Sequence, residues 1–467
     1  MDKATLAEEI AALEARLAQM RAGVASAPSA APPGDGQVIP RRDSTRARMS
    51  FMQEQLWFLD QLSPGHSTYN LSVFLRLTGD LDLGALERAV SAVTARHETL
   101  RTTFTVEYGQ PWQIVHPPTP VRLPIHDITV AVGEHPQESL RRALERQANE
   151  AFRLDRDRPF RFRLYRVAAD EHVFGLTAHH ICFDGASASV LLTEVSELYG
   201  MARAGAELSL PSLPIQYGDL AEWQQQRLAD GALERDITYW AEKLANPTTL
   251  ELPTDRPRPD LPSFRGDRLS YTIPADVLEG MRALSRRVNA TLFATLVAGM
   301  TATLSRWSAT PDVIIGTANG NRQRPEFQSL VGCLINMLVL RNDVSDDPTL
   351  EELIRRSMVT VAEGWDHQAA PFEKIIERIG LPRDPSRNPM FQIAMDLQSS
   401  TAFTWTFQDL VVEWISVAQP TARFDLAINT YDSVDGLQFR VEFATDLFDR
   451  SRVHRLMSHL ELVLRAA

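Results

Sequence analysis

A chain of 467 residues is too long for one ordinary hydrophobic core, so two large lobes are the natural expectation. Apolar residues at 44% and charged residues at 23% are ordinary globular proportions. A net charge of -12 argues against nucleic acid or an anionic membrane surface as partner, because a polyanion needs clustered Lys and Arg.

The first segment places Leu6, Ile10, Leu13, Leu17 and Met20 at the spacing of a narrow helical seam, and Thr5 with Glu8 makes a capping box at its start. Residues 1–22 are therefore predicted as an amphipathic helix. So short a seam is marginal alone, and it either packs on its own globule or docks another polypeptide. It lacks the basic start and apolar core of a secretion signal. Residues 23–45, rich in Ala, Pro, Ser and Gly, read as a flexible linker. The local basic cluster of Arg41, Arg42, Arg46 and Arg48 falls at this linker and is expected to keep it solvated.

Folded sequence begins near Ser50. Leu71, Val73, Leu75 and Leu77 alternate as a half-buried strand, and Leu83, Leu86, Val90 and Val93 recur at helical spacing up to Arg96. Phe160, Phe162 and Leu164 alternate in a second strand, a turn falls at Asp170-Glu171, and a third strand runs from His172 to His179. Residues 186–199, with Val190, Leu191, Val195 and Leu198 on one face, read as a helix. The histidines thus sit where a strand ends and a helix begins. After Pro211 and Pro214 come two polar helices, over 215–228 and 233–244, and then a Pro-rich stretch, so the lobes are expected at 46–214 and 215–467. The second half predicts helices over 275–287, 291–307, 350–365 and 372–379, strands over 312–318, 390–397, 423–431 and 437–444, and a last helix from Arg450. The apolar run 292–304 is short of the roughly 20 residues a membrane helix requires and reads as a buried helix. The chain stops inside its last helical pattern, as if cut from something longer.

The run His179-His180-Ile181-Cys182-Phe183-Asp184-Gly185 carries the chemistry. An imidazole titrating near about 6.5 can take a proton from an amine, hydroxyl or thiol as that group attacks a carbonyl, which makes His180 the candidate base. Asp184 is close enough in a turn to order the loop, either toward the histidine or onto a cation elsewhere. Gly185 admits backbone conformations that other residues resist, and amide N–H groups at a helix start stabilise a developing oxyanion. Base and oxyanion donors together point to acyl transfer. Against this stand a purely structural histidine pair, a metal site and a Cys182 nucleophile. A metal held by His179, His180 and Asp184 is disfavoured because adjacent strand residues point to opposite faces. A cysteine in a turn is more often a small filler. Cys182 and Cys333 form no CxxC pair and suit a reducing, cytoplasmic setting.

Seven ordered segments extend the pattern: SFMQEQLWFL at 50–59, RHETLRTTF at 96–104, the histidine run at 179–185, YGDLAEW at 217–223, VGCLIN at 331–336, HQAAPFE at 367–373 and RDPSRNP at 383–389. With them the chain, essentially from Met49 onward, resembles the condensation domains of nonribosomal peptide synthetases. Met52, Gln55, Ala186 and Met337 depart from the family's usual residues, which bears on substrate preference. The resemblance implies an α/β fold of two chloramphenicol acetyltransferase-like lobes, a V-shaped pseudo-dimer with a tunnel between them. It implies a catalytic His180 beside His179, and a structural Asp184 paired with Arg322, where Asn321 stands at a usual Gly.

The implied reaction joins an acyl or peptidyl thioester donor to the amino group of an aminoacyl thioester acceptor, as in antibiotic and other secondary metabolism. Both substrates would ride on the 4'-phosphopantetheine of donor and acceptor peptidyl carrier proteins, or an acyl carrier protein. The chain itself would bind no cofactor and no metal, and residues 1–22 could dock an upstream synthetase. An ester-forming or coenzyme A-dependent HxxxDG acyltransferase is the alternative, although the plant-type Asp-Phe-Gly-Trp-Gly signature is missing. A catalytically silent recruitment domain is a third reading, and such domains usually lose the intact histidine motif.

Overall fold

The computed structural model describes residues 38–62, 64–129, 135–382, 384–398, 405, 407–417, 419–433 and 435–466. The expected helix over 1–22 and most of the expected linker lie outside these residues. In chain order the strands are β1 (Arg46–Arg48), β2 (Asn70–Thr78), β3 (Thr102–Glu107), β4 (Gln110–Val115), β5 (Ile125–Asp127), β6 (Phe160–Ala168), β7 (Glu171–His179), β8 (Gly266–Pro274), β9 (Asp312–Asn319), β10 (Asn336–Asp343), β11 (Ile393–Gln398), β12 (Val411–Ile415), β13 (Leu426–Ser433) and β14 (Gly436–Ala444).

One sheet has the order β12-β2-β7-β6-β5. Leu75 and Leu77 of β2 face a core shared with the helices Leu83–Arg96 and Gly185–Arg203 through Leu86, Val90, Val93, Leu191 and Val195. Phe74 and Val173 face the helix Pro136–Ala148 on the other side. Helices on both faces explain why β7 is buried from Val173 to His179 without interruption. The second sheet runs β10-β9-β11-β13-β14-β8. Its larger core lies under the helices Ala275–Arg287, Leu292–Ser308 and Arg450–Arg465, and the helices Glu234–Lys243 and Phe372–Ile379 cover the opposite face near β9 and β10. A small antiparallel sheet, β1-β4-β3, completes the set.

Strands β1, β3, β4, β5 and β8 have no counterpart among the expected strands, and three further features depart from the sequence expectations. Strand β12, far along the chain, pairs antiparallel with β2, with Val411 opposite Thr78 and Ile415 opposite Phe74, so cutting the chain near residue 214 does not separate the sheets. Strand β10 is unexpected because its apolar run lacks alternation, both of its faces being covered. The end of the expected linker, although mostly exposed, is anchored to the folded chain. Ile39 is buried beside Ile215, Tyr217 and Leu220, Arg42 pairs with Glu98 and, at 2.7 Å, with Asp219, and Arg41 donates to the carbonyls of Leu213 and Pro214. Arg46 and Arg48 pair with Glu107 and Glu222. The counter-charges arrive from distant parts of the chain, so the local composition could not announce them. Within the helix Leu292–Ser308, Val297, Ala298 and Met300 are fully buried. No single helix among the described residues is long and apolar enough to cross a membrane.

Candidate active site

Strand β7 ends at His179 and the chain turns through His180–Cys182 before the helix Gly185–Arg203 begins. The turn is fixed by backbone bonds from His179 N–H to the Pro159 carbonyl (2.8 Å) and from His180 N–H to the Tyr69 carbonyl (2.7 Å). The His179 ring is 2% exposed, and its Nδ1 accepts the Ile181 N–H at 3.2 Å. Tyr69 and Phe152 enclose it, with ring centroids at 6.2 and 6.4 Å. Burial, and then the nearby His180 and Arg423, push its pKa down to about 3.

His180 is only partly buried, and its Nδ1 lies 3.4 Å from Cys333 Sγ. Burial and the Arg423 guanidinium lower its pKa to about 3, so the imidazole is neutral at neutral pH.

Asp184, 1% exposed, caps the helix Gly185–Arg203 through the Ser187 N–H, which donates to Oδ1 at 2.7 Å. Oδ1 also lies 2.7 Å from the Ser187 hydroxyl and 3.0 Å from Arg322 Nη2, and Oδ2 accepts the Leu334 N–H at 3.0 Å. Arg322 Nη1 donates to the carbonyls of Phe327 (2.7 Å) and Leu330 (2.8 Å). Ser187 Oγ accepts the Gly332 N–H at 3.0 Å. The buried charge is thus matched by a guanidinium and saturated with donors, the condition for keeping a carboxylate away from water. Asn321, beside Arg322, has φ 49°, a left-handed conformation that Asn tolerates.

Gly185 does not fit its conformational reading. Its φ is not positive, and a Cβ there would meet nothing within 4 Å. It leaves open space at the helix start, and no backbone geometry requires it.

Residues outside the histidine run hold the turn. Gln53, in the helix Phe51–Leu62, donates from Nε2 to the Ile181 carbonyl at 3.2 Å and accepts the Ser50 N–H at 3.0 Å. The Ser50 hydroxyl is 2.8 Å from the Tyr217 hydroxyl, which donates to the Cys333 carbonyl at 2.6 Å. A Cβ at Gly332 would fall 2.0 Å from the Tyr217 ring, so this close approach requires glycine. The segments beginning at Ser50, Tyr217 and Val331 therefore converge on the turn. Two others serve elsewhere: His97 is bound to Glu194 at 2.6 Å, and His367 to Asp236 at 2.9 Å. Sequence reasoning missed Gln53, Tyr217 and Ser187 individually. The signal for Ser187 was its place three residues after a helix-capping Asp.

Cys182 is fully buried, and its thiol donates to the carbonyls of Pro159 (3.2 Å) and His179 (3.3 Å). Burial pushes both the Cys182 and Cys333 thiols up, which keeps them protonated and disfavours a nucleophilic role. Among the described residues no group of three or more His, Cys, Asp or Glu could hold a metal ion.

The sequence model of the condensation domain matches residues 44–467. The chain belongs to the condensation-domain family. A linear gramicidin synthase of Brevibacillus parabrevis is 38% identical over 421 residues, which cover 90% of this chain and 8% of that protein. Chondramide synthase cmdD of Chondromyces crocatus is 35% identical over 419 residues, covering 90% of this chain and 11% of that one. The chain thus spans a small part of these multidomain synthetases. The X-domain from teicoplanin biosynthesis superposes with a TM-score of 0.84 at 30% identity, covering 91% of this chain and 95% of that one. The first condensation domain of the CDA synthetase superposes at 0.71 with 20% identity, covering 91% and 97%. The two-lobed, chloramphenicol acetyltransferase-like fold of condensation domains is therefore the fold of this chain.

Proposed function

We propose that this condensation domain forms an amide between a carrier-bound acyl or peptidyl thioester and the amino group of a carrier-bound aminoacyl thioester. The observation that carries the reading is a neutral, partly accessible His180 on a turn held by both halves of the chain. The amine nitrogen attacks the thioester carbonyl carbon, the C–S bond breaks, and the departing thiolate takes up a proton. His180 serves with its proton on Nδ1, directed at Cys333 Sγ, which leaves the Nε2 lone pair for the amine. A conjugate acid with a pKa of about 3 makes a weak base. His180 therefore orients the neutral amine and accepts its proton only once nitrogen has gained positive charge in the tetrahedral intermediate. Holding two tethered substrates end to end in a tunnel between the lobes would contribute roughly 7 to 11 kcal/mol.

In this reading the domain works in the cytoplasm, holds no cofactor, and receives both substrates on 4'-phosphopantetheine arms. His179 and Asp184 with Arg322 position the turn, Gly185 leaves open space at the start of the helix that follows it, and residues 1–22 dock an upstream synthetase. Intact-mass spectrometry of two loaded carrier proteins mixed with the chain tests it. Transfer of the donor mass onto the acceptor carrier is the expected result; an unchanged acceptor mass in every pairing would remove the reading. A recruitment role is the second reading, because an X-domain of the teicoplanin pathway, itself complexed with OxyB, has the same fold at a TM-score of 0.84. A hydroxyl acceptor in place of the amine would give an ester, and mild alkali applied to the product after its release from the carrier separates the two, because it cleaves the ester and spares the amide.

A further inference from the structure

A cavity of about 110 Å³ lies where the start of β2 meets the segment before β13, lined among others by Leu59, Tyr69, Phe264, Asn388 and Arg423. Three arginines reach it, and two are already neutralised. Arg258 forks onto both oxygens of Asp425, and Arg387 pairs with Glu251 and Asp384. The acids at the cavity are likewise matched, Asp425 by Arg258, and Asp446 by Arg265 and the Ser263 N–H. Arg423 differs. It is half-buried, its Nε donates to the Thr68 carbonyl at 3.2 Å, and its guanidinium lies 5.5 Å from the centroid of the Tyr69 ring. Among the described residues no carboxylate pairs with it, and neither terminal nitrogen has a protein acceptor.

The terminal nitrogens of Arg423 stay open to the cavity, and an arginine so placed is complementary to an anion of matching fork geometry. Its place is also held. Asn388 Nδ2 donates to the Arg423 carbonyl at 3.1 Å, and Arg423 grips Thr68 one residue before the Tyr69 carbonyl that binds His180 N–H. The segment paired beside Arg423, where the Phe264 carbonyl accepts the Ala422 N–H at 2.9 Å, carries backbone strain. Phe264 has φ 56°, a conformation that a bulky side chain adopts only when its surroundings impose it, and such strain collects at ligand sites.

We propose that this cavity is a specificity subsite for a carboxylate-bearing side chain of one of the two thioester substrates, with Arg423 as its anchor. The inference rests on the condensing function proposed above, since it supplies the substrates. The aliphatic and aromatic walls of Leu59, Tyr69 and Phe264 take a short methylene stem, and the guanidinium takes the carboxylate at its end. A substrate with the isosteric amide keeps the stem but loses the charge-assisted pair.

The test is calorimetric titration of the full chain and of Arg423→Gln with N-acetylcysteamine thioesters of N-acetylglutamate and N-acetylglutamine, and with free phosphopantetheine. The wild-type chain is expected to bind the glutamate thioester roughly tenfold more tightly than the glutamine thioester. In Arg423→Gln that preference should vanish while the melting temperature stays within a few degrees, and Arg423→Lys should restore part of it. Equal affinities in the wild type, or a preference that survives in Arg423→Gln, would overturn the subsite. An Arg423 dependence confined to phosphopantetheine would assign the arginine to the carrier arm instead and overturn it as well. A misfolded Arg423→Gln would leave the wild-type preference and Arg423→Lys to decide. A clear glutamate preference in a chain that condenses no carrier pair would leave the subsite standing and remove the condensing function.

Discussion

Four positions apart in the chain, His180 and Asp184 occupy opposite kinds of environment. Around Asp184 every lone pair is engaged: Ser187, Leu334 and Arg322 reach it from two parts of the chain, and it is 1% exposed. Around His180 the contacts are softer: Cys333 Sγ lies 3.4 Å from Nδ1, the backbone at His180 and Phe183 reaches the ring, and the residue is only partly buried. A group saturated by its protein has little left to offer a substrate, while a group held by its backbone and left free at its side chain can react. The turn is rigid because Asp184, Gln53 and the Tyr69 carbonyl make it so, and His180 benefits without giving up its own hydrogen bonds.

If that division is real, removing the free group should destroy rate and spare the fold. His180→Ala is expected to lower single-turnover condensation by about two to four orders of magnitude. Its urea unfolding midpoint should stay near that of the parent chain, because the turn's backbone bonds to Tyr69 and Pro159 remain. A large loss of stability with a proportionate loss of rate would erase the distinction between the two residues.

The saturated group should behave in the reverse way. Asp184→Ala strands Arg322, 13% exposed, beside Ser187 and the Leu334 N–H, and is expected to cost roughly 3 to 5 kcal/mol by chemical denaturation. Ser187→Ala removes one hydroxyl from the same knot and should cost about 1 to 2 kcal/mol. A stable, inactive Asp184→Ala chain would move Asp184 to the reacting side of the comparison.

Much of this division could be read from residue types. A histidine at a strand exit, followed by an aspartate that can cap a helix, names both parties, whereas Arg322 as the partner of Asp184 came from the family resemblance and not from residue type or spacing. The partners that arrive by packing were not legible. Gln53 reaches Ile181 across 128 positions, and Tyr217 reaches the Cys333 carbonyl across 116. A hydroxyl or amide in an ordered segment gives no sign of which distant carbonyl it meets. The helix periodicities at 83–96, 275–287 and 372–379 match the structure because each has one apolar face. β10 and β12 escaped for different reasons: the first is buried on both faces, and the second is a short edge strand whose Val411 and Trp414 remain exposed.

The pH response sharpens the comparison further, because burial has moved the histidines and not by equal routes. His179 has a folded pKa of about 3, depressed from an ordinary value of 6.5, so between those values the unfolded chain binds a proton that the folded chain refuses. Stability therefore rises with pH across that window. It is complete above 6.5 and lost as pH falls toward 3, by about 1.4 kcal/mol per pH unit for this one group. His179→Asn should flatten the fall in denaturation midpoint between pH 6 and pH 4 by about one proton's worth. For His180, with a folded pKa of about 3, the single-turnover rate should show no inflection near the ordinary imidazole value of 6.5. An acid limb centred near that value, absent from His180→Ala, would mean that the reacting imidazole is far better hydrated than its neighbour.

The smallest effect is expected at Cys182, which stands between the two environments and belongs to neither. Its thiol is fully buried, donates to the carbonyls of Pro159 and His179, and is held protonated by burial. Serine keeps a donor of similar reach to both carbonyls, so Cys182→Ser should change the single-turnover rate by less than about twofold and stability by about 1 kcal/mol or less. Alanine keeps the shape of the filler but leaves both carbonyls without that donor, so Cys182→Ala should cost about 1 to 2 kcal/mol while sparing the rate to the same degree. The pair of variants separates packing from chemistry at one atom. If Cys182→Ser fell to the level of His180→Ala while folding normally, the sulfur would be taking part in the reaction. The free, reacting side of the turn would then extend two residues further toward Asp184 than the hydrogen bonds around Cys182 allow.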